Sequence, residues 1–515
     1  MPLDNLPASP RLEARLRREL RGEVLFDAFS RGRYATDASI YQIEPLGVAV
    51  PRDREDVAAA LAIAREEGVP VLPRGGGTSQ CGQTVARALV LDCSKYMDNV
   101  VALDTEARRV RVQPGVVMER LNQRLRQHKL WFPVDVSTGD RATIGGMTAN
   151  NSCGARSIRY GNMVHNVRAI DAILADGTAA RFGEGPGNFG DDVEPERYRG
   201  LVRDMRALHR READEIEARF PKLLRRVGGY NIDMISDAGH NMAHLLVGSE
   251  GTLAFFSEIE LDLQPIPPHR VLGICHFPTF YRAMDATQHI VKLGPAAVEL
   301  VDRTMIGLAR DNPVFRPVVD RFVKGEPDAI LLCEFAGPDA DDNLRRLKQL
   351  VELMGDLGFP DSVIEATDPA FQSAVWTVRK EGLNIMMSMK GDGKPVSFIE
   401  DCAVRLEDLA EYTDRLTQVF EKHGTVGTWY AHASVGTLHV RPVLNLKQEL
   451  GAKQMRAIAE EAFAMVREYC SGVSNCSRRA PSCTSPQPPR VLTFVSTRCK
   501  PPTSLASCCI APSPW

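Results

Sequence analysis

The stretch that decides the fold is glycine-rich and reads PRGGGTSQCGQ over residues 73–83. Its three consecutive glycines allow the backbone to adopt positive φ and to turn its N–H groups toward one point. Such a run of donors is typical of an anion nest, which suits a diphosphate. The glycine spacing matches neither a Walker loop nor a Rossmann fingerprint. Taken alone, the stretch is also compatible with a plain flexible loop.

Two later stretches contain further glycines. The first reads STGDRATIGGMTANNSCG over residues 137–154 and is followed by RYG at 159–161, and the second reads VGSEGTL over residues 247–253. In this order the three stretches resemble the FAD-binding domain shared by vanillyl-alcohol oxidase, the 2-hydroxyacid dehydrogenases and the MurB-type reductases. The agreement runs from about residue 45 to 265, and it favours a flavin site over three unrelated turns.

The resemblance implies FAD contacts throughout these stretches. The implied residues are Arg74, Gly75, Gly76, Gly77, Thr78, Ser79, Gly82, Gln83, Ser137, Thr138, Thr143, Gly145, Gly146, Asn150, Asn151, Gly154, Tyr160, Gly161, Val167, Glu250, Gly251 and Thr252. Relatives that attach flavin through histidine read Arg-Ser-Gly-Gly-His where this chain reads RGGGT. Because Thr78 cannot form that bond, non-covalent FAD is expected.

Length and charge bound the class of protein. The chain has 515 residues, with 63 basic and 66 acidic side chains, which predicts two or three domains and gives no indication of nucleic-acid binding. Its N-terminus lacks an apolar signal region, and no apolar run is long enough to span a bilayer. A cytoplasmic protein without a transmembrane segment is expected, with peripheral docking at the inner membrane left open.

The order of strand-like and helix-like patterns predicts an α+β fold. We expect an N-terminal helical segment over residues 1–44, with a helix in 9–30 that packs Leu12, Leu16 and Leu20. The resemblance implies a two-part PCMH-type FAD-binding domain over 45–265, and the charged, helix-rich stretch at about 182–240 is interpreted as an insertion in it. The successive prolines of PIPP at 265–268 predict a linker. Beyond it, the alternation of strands and helices predicts a ferredoxin-like α+β substrate domain over 266–469, of the FAD-linked oxidase C-terminal type.

The substrate domain offers one candidate anchor for an acid. The sequence WTVRK at residues 376–380 closes a predicted helix, where a basic residue often only complements the helix dipole. In the 2-hydroxyacid dehydrogenases the matching arginine grips the substrate carboxylate, and a planar guanidinium can bind both oxygens. The resemblance therefore implies Arg379 as substrate anchor. Tyr230 and Asn231 are equally compatible with a glycine-capped helix end and with a place near the flavin ring and the substrate.

Two histidines lie seven residues apart in YAHASVGTLH, residues 430–439. On an unbroken strand His432 and His439 would face opposite sides, but a turn at residues 435–436 would bring them together. Two unrelated histidines are the ordinary expectation. The dehydrogenase family, however, has a His-x6-His of this form that binds a divalent metal, with zinc as first candidate. The resemblance thus implies that both are metal ligands and, with Arg379, catalytic. The family's next ligand, a glutamate in a Ser-Gly-Glu-His-Gly stretch, is absent here.

The chain most resembles the flavin half of the long D-2-hydroxyglutarate dehydrogenases, which continue into an iron–sulfur half. The implied reaction oxidises a D-2-hydroxy acid, with D-2-hydroxyglutarate favoured, by hydride transfer to flavin N5. D-Lactate or glycolate dehydrogenase is the alternative, and an inactive flavin-binding fragment is the alternative of another class. A quinone, an electron-transfer flavoprotein or an iron–sulfur partner would accept the electrons. No iron–sulfur cluster is expected in this chain.

The last 46 residues differ sharply in composition. Residues 470–515 contain no Asp or Glu but six cysteines, eight prolines and nine serines, and the cysteine spacing matches no iron–sulfur or zinc pattern. The change falls where relatives have the missing glutamate and histidine. We therefore expect a disordered, aberrant tail that arises from a shifted reading frame.

Overall fold

Strands and helices alternate through the chain as the sequence predicts. The computed structural model describes residues 10–184, 195–236 and 240–470. Its strands are β1 Glu23–Leu25, β2 Gly47–Val50, β3 Val71–Arg74, β4 Leu89–Asp92, β5 Val100–Asp104, β6 Arg109–Val112, β7 Leu130–Trp131, β8 Val167–Leu174, β9 Ala179–Phe182, β10 Ala254–Asp262, β11 Gln264–Pro265, β12 His269–Phe277, β13 Ala297–Asp302, β14 Ala329–Gly337, β15 Val363–Ala366, β16 Lys394–Pro395, β17 Ile399–Ala403, β18 Gly427–His432 and β19 Thr437–Leu444.

The helices lie mostly between these strands. They are α1 Pro10–Glu19, α2 Ala28–Arg33, α3 Arg54–Glu66, α4 Met118–Leu125, α5 Ile144–Asn150, α6 Ser157–Tyr160, α7 Glu196–Arg211, α8 Ala213–Arg219, α9 Ala243–Leu246, α10 Phe280–Ile290, α11 Arg303–Asp311, α12 Arg316–Phe322, α13 Ala340–Asp356, α14 Pro369–Lys380, α15 Gly382–Met387, α16 Leu409–Lys422 and α17 Glu449–Cys470. Beyond Cys470, the tail and its expected frame shift lie outside the described residues.

The first domain has two parts, as expected. A four-stranded sheet has the order β1-β2-β4-β3, in which β4 runs parallel to both β2 and β3. A five-stranded antiparallel sheet has the order β5-β6-β10-β8-β9. Helix α3, capped by Asp53, connects β2 to β3. Strand β3 therefore delivers the glycine-rich stretch at its carboxyl end.

The N-terminal segment is less helical than predicted. Helix α1 ends at Glu19, with Leu12 and Leu16 fully buried, and the chain then forms β1 against β2. The reason lies at Gly22, where a Cβ would stand 2.1 Å from the carbonyl oxygen of Val50. The chain approaches β2 too closely there for a continuing helix with side chains. A helix through residue 30 is therefore wrong.

The insertion is helical, but its helix is interrupted. The structure has two helices there, α7 and α8, which are separated at Glu212. Glu212 has φ −107° and ψ 14°, which lie outside the helical region. Tyr198 is buried and packs edge-on against Phe182 at 5.0 Å between ring centroids, and this contact attaches the insertion to the five-stranded sheet.

The second domain contains an eight-stranded sheet. Its path is β15-β12-β14-β13-β18-β19-β16, and β17 also pairs with β19. The first four strands, with α10 and α13 in the connections, have the antiparallel order of the ferredoxin-like fold. Alternate residues of β14 enter different apolar clusters: Leu331 and Cys333 pack with α10 and α13, whereas Ile330 and Leu332 pack toward α11 and α14. Helices thus cover both faces of the sheet.

A buried ion cluster joins the two domains. Arg156 of the first domain donates two parallel hydrogen bonds to Glu334 on β14, with Nε–Oε1 2.7 Å and Nη2–Oε2 2.8 Å. Asp135 of the first domain accepts from the remaining side of the same guanidinium. Glu334 is 1 % exposed, and although burial alone would raise its pKa, Arg156 holds the pKa below its ordinary value. Arg156 therefore bonds to a carboxylate in each domain and helps to fix their relative position.

Replacing Arg156 by Met should loosen this contact. The change leaves two carboxylates without their cation, and removal of one partner from a buried pair costs about 3–5 kcal/mol. Urea unfolding should show that loss, and limited proteolysis should cleave residues 264–268 faster. Arg168→Met is the matched control, because Arg168 pairs with the partly exposed Asp262 and Glu184 and should cost under about 1 kcal/mol. Equal losses in both variants would contradict a special role for Arg156.

Candidate functional site

One cavity is lined by both domains. The glycine-rich stretch of the first domain and the histidine pair of the second both contribute to its wall. Among the predicted site residues, its lining includes Arg74, Gly75, Gly76, Gly77, Thr78, Ser79, Gln83, Ser137, Thr138, Thr143, Gly145, Gly146, Asn150, Glu250, Gly251, Arg379, His432 and His439. Residues from the first-domain stretches and the implied substrate residues therefore meet in one space.

The glycines of the first stretch serve close packing as much as turning. Only Gly77 of the three has positive φ, at 63°. A Cβ on Gly75 would lie 2.0 Å from Oγ1 of Thr143, and one on Gly76 would lie 2.3 Å from the carbonyl oxygen of Arg141. The freedom to adopt positive φ is therefore used at one of the three glycines. The other two are glycines because the second stretch packs directly on the first.

Arg74 stabilises the loop through its side chain. Its guanidinium donates to the carbonyl oxygens of Tyr34, Thr36 and Thr84 and lies over the Tyr34 ring. Burial lowers the pKa of Arg74. These bonds tie the glycine-rich loop to the N-terminal segment. Because the guanidinium is engaged in them, Arg74 would contact a cofactor in the cavity mainly through its backbone.

Several implied cofactor residues do not line the cavity. Asn151 is buried with φ 53° and accepts from the Val164 N–H, while Thr252 donates to the carbonyl oxygen of Ser249. Their roles in the structure are to shape the stretches. The full set outside the lining is Gly82, Asn151, Gly154, Tyr160, Gly161, Val167 and Thr252.

Tyr230 and Asn231 also lie outside the cavity lining. Asn231 is 1 % exposed, and its amide donates to the carbonyl oxygens of His244 and Val247. The Tyr230 hydroxyl is 2.8 Å from Oγ1 of Thr252. These contacts support the role of a folded loop, and a substrate contact for either residue stays a prediction.

Glu250 is an unusual cavity residue. Its φ is 51°, which is uncommon for a side chain of this kind. Its backbone N–H donates to the Ala149 carbonyl oxygen at 3.0 Å, which holds it beside the second stretch. Burial raises the pKa of Glu250 to about 7, so its carboxyl is close to half-protonated at neutral pH.

The histidine pair is brought together by a hairpin, as the sequence analysis required. Strands β18 and β19 pair antiparallel, and the chain reverses at Gly436, which has φ 68°. The ring centroids of His432 and His439 are 4.9 Å apart. Both rings line the cavity.

Glu299 lies behind His432 and Arg379. It accepts from Nδ1 of His432, with 2.9 and 3.1 Å to its two oxygens, and from Nη2 of Arg379 at 2.6 Å. Burial lowers the pKa of His432 to about 4, although Glu299 opposes this shift. For Glu299 burial alone would raise the pKa, but His432 and Arg379 outweigh it and lower the pKa. The three side chains form one buried hydrogen-bonded group, in which Arg379 and Glu299 carry the charges and His432 is neutral at pH 7.

A second carboxylate, Asp401, faces the other histidine. It lies at the irregularity between Glu400 and Cys402 in the pairing of β17 with β19, and its φ is 56°. Its Oδ1 accepts from Nη2 of Arg225 at 3.0 Å and lies 3.5 Å from Nδ1 of His439. Asp401 is thus a non-glycine residue with positive φ at a β-bulge, and both features are frequent at functional sites.

Glu299, Asp401 and Arg225 were not predicted as site residues. Glu299 had a signal in the sequence, because a carboxylate interrupts the apolar strand AVELV at residues 297–301. Asp401 and Arg225 pair across 176 positions of the chain, and only the folded chain shows that pairing.

The cavity fits FAD better than it fits a metal ion. Glycines at both packed stretches let a ligand approach the backbone, with hydroxyl groups of Thr78, Ser79 and Thr138 in the wall. Among the described residues, by contrast, no group of three or more His, Cys, Asp or Glu side chains could hold a metal ion. The pair of histidines alone does not complete the four ligands that zinc usually takes.

Comparison with known proteins agrees with this geometry. Residues 45–183 match the family model described as FAD binding domain, and residues 266–474 match the C-terminal domain of FAD linked oxidases. The fold also resembles the solved structure of an alkyldihydroxyacetonephosphate synthase, with a TM-score of 0.65 at 16 % identity over 91 % of this chain and 82 % of that one. Fold and cavity thus define a two-domain flavoprotein of the PCMH type. The chain contains an FAD binding domain and a C-terminal domain of the FAD linked oxidase type.

Two relatives indicate the range of this family. The D-2-hydroxyglutarate dehydrogenase of Pseudomonas putida is 30 % identical over 482 residues, which are 89 % of this chain and 47 % of that protein. The glycolate oxidase subunit GlcD of Bacillus subtilis is 26 % identical over 460 residues, 87 % of this chain and 84 % of the subunit. The chain therefore spans about half the length of the first relative and most of the second.

Replacing Glu250 by Gln should change how stability depends on pH. The pKa rises from 4.5 to about 7 on folding, so between these values the unfolded chain releases a proton that the folded chain keeps. The free energy of unfolding therefore falls as pH rises through that window, by up to ~3 kcal/mol from this group. Urea unfolding of the apoprotein at pH 5 and pH 8 should show this loss in the wild type and not in the variant.

The control for that comparison is Glu106→Gln, an exposed position in the turn after β5. This variant should follow the wild-type pH dependence. If Glu250→Gln also follows it, the Glu250 carboxyl is not protonated in the folded chain and the assignment is wrong.

Proposed function

We propose that this chain oxidises a D-2-hydroxy acid, with D-2-hydroxyglutarate as first candidate, to the 2-oxo acid with non-covalently bound FAD. The observation that carries the proposal is the placing of Arg379 and His432 on one buried carboxylate, in the cavity that the glycine stretches also line. An arginine and an imidazole side by side suit a molecule with a carboxylate and a hydroxyl on adjacent carbons.

Each side chain has a task that follows from its chemistry. Arg379 is 7 % exposed, its Nη2 is bonded to Glu299, and its Nε has no hydrogen-bond partner among the described residues. The guanidinium of Arg379 therefore has an unused donor, to which a substrate carboxylate would bind. His432 donates from Nδ1 to Glu299, which leaves Nε2 with a lone pair that can accept the substrate hydroxyl proton.

Bound FAD would supply the oxidant that takes a hydride from the α-carbon. The chain would hold it through the first-domain stretches, with Thr78, Ser79 and Thr138 as hydroxyl donors and the glycines as close backbone neighbours. Zinc at His432 and His439 is a separate proposal from the resemblance, and it would occupy Nε2 of His432 in place of the substrate hydroxyl. No step of the reaction is assigned to it.

Two alternatives stand beside this proposal. A D-lactate or glycolate dehydrogenase is favoured by the GlcD relative, because this chain covers 84 % of that subunit. A flavin-binding fragment without activity is the alternative of another class. The Ser-Gly-Glu-His-Gly stretch that the resemblance requires is absent from this sequence, whichever alternative holds.

The partners of the reaction are also proposals. We propose a quinone, an electron-transfer flavoprotein or an iron–sulfur protein as the electron acceptor. Among the described residues, no helix is both long and apolar enough to cross a membrane. We further propose a cytoplasmic location, with peripheral contact to the inner membrane as the alternative.

The deciding experiment is a substrate panel on the FAD-loaded protein. D-2-Hydroxyglutarate, D-lactate and glycolate are each added anaerobically, and bleaching of the flavin absorbance and reduction of an artificial dye acceptor are recorded. Bleaching by the D-enantiomer of a 2-hydroxy acid supports the proposal, and the fastest acid identifies the substrate. A reducible flavin that no 2-hydroxy acid bleaches would support the inactive fragment instead.

Replacing Arg379 by Ala should weaken substrate capture without loss of flavin. A charge-assisted hydrogen bond contributes about 1.5–3 kcal/mol, so kcat/KM should fall at least about tenfold. Lys380→Ala is the control, because Lys380 is the exposed neighbour at the same helix end and should leave kcat/KM unchanged. If both variants behave alike, Arg379 only complements the helix dipole.

FAD should come away from the protein on denaturation. Thr78 stands where flavin-linking relatives carry histidine, and a hydroxyl cannot form that bond. After acid precipitation the yellow colour should remain in the supernatant, and the pellet should be colourless. A yellow pellet would establish a covalent link and would point to one of the cavity histidines or cysteines.

A further inference from the structure

Glu299 is a charged residue in a strand that otherwise favours burial of apolar groups. Its neighbours Val298 and Leu300 are fully buried, and Glu299 itself is 1 % exposed. A carboxylate in such a place is unfavourable unless its charge and hydrogen bonds are compensated. An apolar side chain of the same size would fit the sheet at lower cost. The presence of Glu299 therefore calls for an explanation beyond folding.

Both partners of Glu299 line the cavity, whereas Glu299 does not. Arg379 on α14 and His432 on β18 both bond to Glu299. Glu299 and His432 lie directly opposite each other in the pairing of β13 with β18. The bonds are short, 2.6 Å to Arg379 and 2.9 Å to His432. One carboxylate thus fixes the separation of two side chains that come from different elements.

The remaining freedom of Arg379 is removed by Tyr430. The guanidinium carbon lies 5.0 Å from the centroid of the Tyr430 ring, within the range of a cation–π contact. Tyr430 is on the same strand as His432, two residues before it. The guanidinium is therefore held at its end by Glu299 and over its face by the strand that also carries the histidine.

We propose that Glu299 is a positioning residue that sets the distance between Arg379 and His432, and that the site therefore selects acids with the hydroxyl on the carbon next to the carboxylate. The inference rests on the proposed oxidation of 2-hydroxy acids and adds the basis of its selectivity. A carboxylate bound at Arg379 and a hydroxyl bound at Nε2 of His432 must be as far apart as the two anchors. A 3-hydroxy acid, with one more carbon between the groups, does not fit that fixed distance.

The test is Glu299→Gln in the FAD-loaded protein. The amide keeps the shape of the carboxylate but loses its charge and one acceptor oxygen, so it cannot hold both partners as Glu299 does. We expect unchanged FAD content, a fall in kcat and a rise in KM that together lower kcat/KM at least tenfold, and a weaker preference for 2-hydroxyglutarate over 3-hydroxyglutarate as competing ligands.

The matched control is Asp302→Asn. Asp302 is a buried carboxylate on the same strand, three residues away, where it accepts from the N–H groups of Met305 and Trp429. Asparagine keeps the helix cap, so this variant should lie within about twofold of wild-type kcat/KM, whatever happens to its stability. A loss of turnover equal to that of Glu299→Gln would mean that any buried charge on β13 has the same effect, and would overturn the proposal.

Coupling to Arg379 is measured with oxalate, an unreactive acid, through the change it causes in the flavin spectrum. Glu299→Gln should raise the oxalate Kd about tenfold in the wild-type background and less than twofold in an Arg379→Lys background, because the two changes disrupt one contact. Additive effects would show that Glu299 does not act through Arg379.

A spectroscopic measurement separates this inference from the proposed function. The ¹⁵N imidazole spectrum of the protein, with His432 assigned by its loss in His432→Asn, should show a fixed Nδ1–H tautomer that Glu299→Gln shifts toward a mixture. If the tautomer is unchanged, the positioning role is wrong even when the substrate panel succeeds. If the tautomer shifts but no 2-hydroxy acid bleaches the flavin, the positioning role stands and the proposed substrate is wrong.

Discussion

The two parallel hydrogen bonds between Arg156 and Glu334 are the contact on which the rest of the site depends. The cavity has no complete wall in either domain, because the glycine stretches belong to the first and the histidines to the second. A small shift between the domains would separate them. A bidentate pair of buried charges resists such a shift, since any loss of alignment leaves a charge without its partner. The Arg156–Glu334 pair therefore holds the two walls of the cavity together, and the side chains in the cavity determine its finer geometry.

The same rule of paired charges applies inside the cavity. Arg379 is met by Glu299, and Arg225 is met by Asp401. In each pair the carboxylate compensates the positive charge of the arginine. Water can therefore be partly excluded from the cavity without leaving an uncompensated cation. An acid that binds to either arginine must use donors that Glu299 or Asp401 does not already occupy. Binding energy then depends on the unused donors of the arginine more than on net charge, and this favours selection by geometry over simple attraction of anions.

The sequence predicted those parts of the fold that depend on local patterns. The order of strands and helices in the second domain, the hairpin at Gly436 and the two-part first domain follow from periodicity, turn residues and the resemblance. Strand β1 was missed because its cause, the approach of Gly22 to Val50, joins distant residues. Asp401 was missed for the same reason, since its pairing with Arg225 spans two domains. Local signals predict elements, whereas long-range charge pairs become visible only in the folded chain.

The glycine stretches illustrate why the family was easier to predict than the substrate. Gly75 and Gly76 are required by the packing of Thr143 and Arg141, and Gly145 is required by Pro114, whose Cβ would lie 2.5 Å from an added Cβ. These constraints are set by the fold and do not depend on the substrate. The residues proposed to bind the acid, Arg379 and His432, lie in the second domain, within one strand hairpin and one helix end. A chain can therefore keep every glycine of these stretches while the few side chains around Glu299 change.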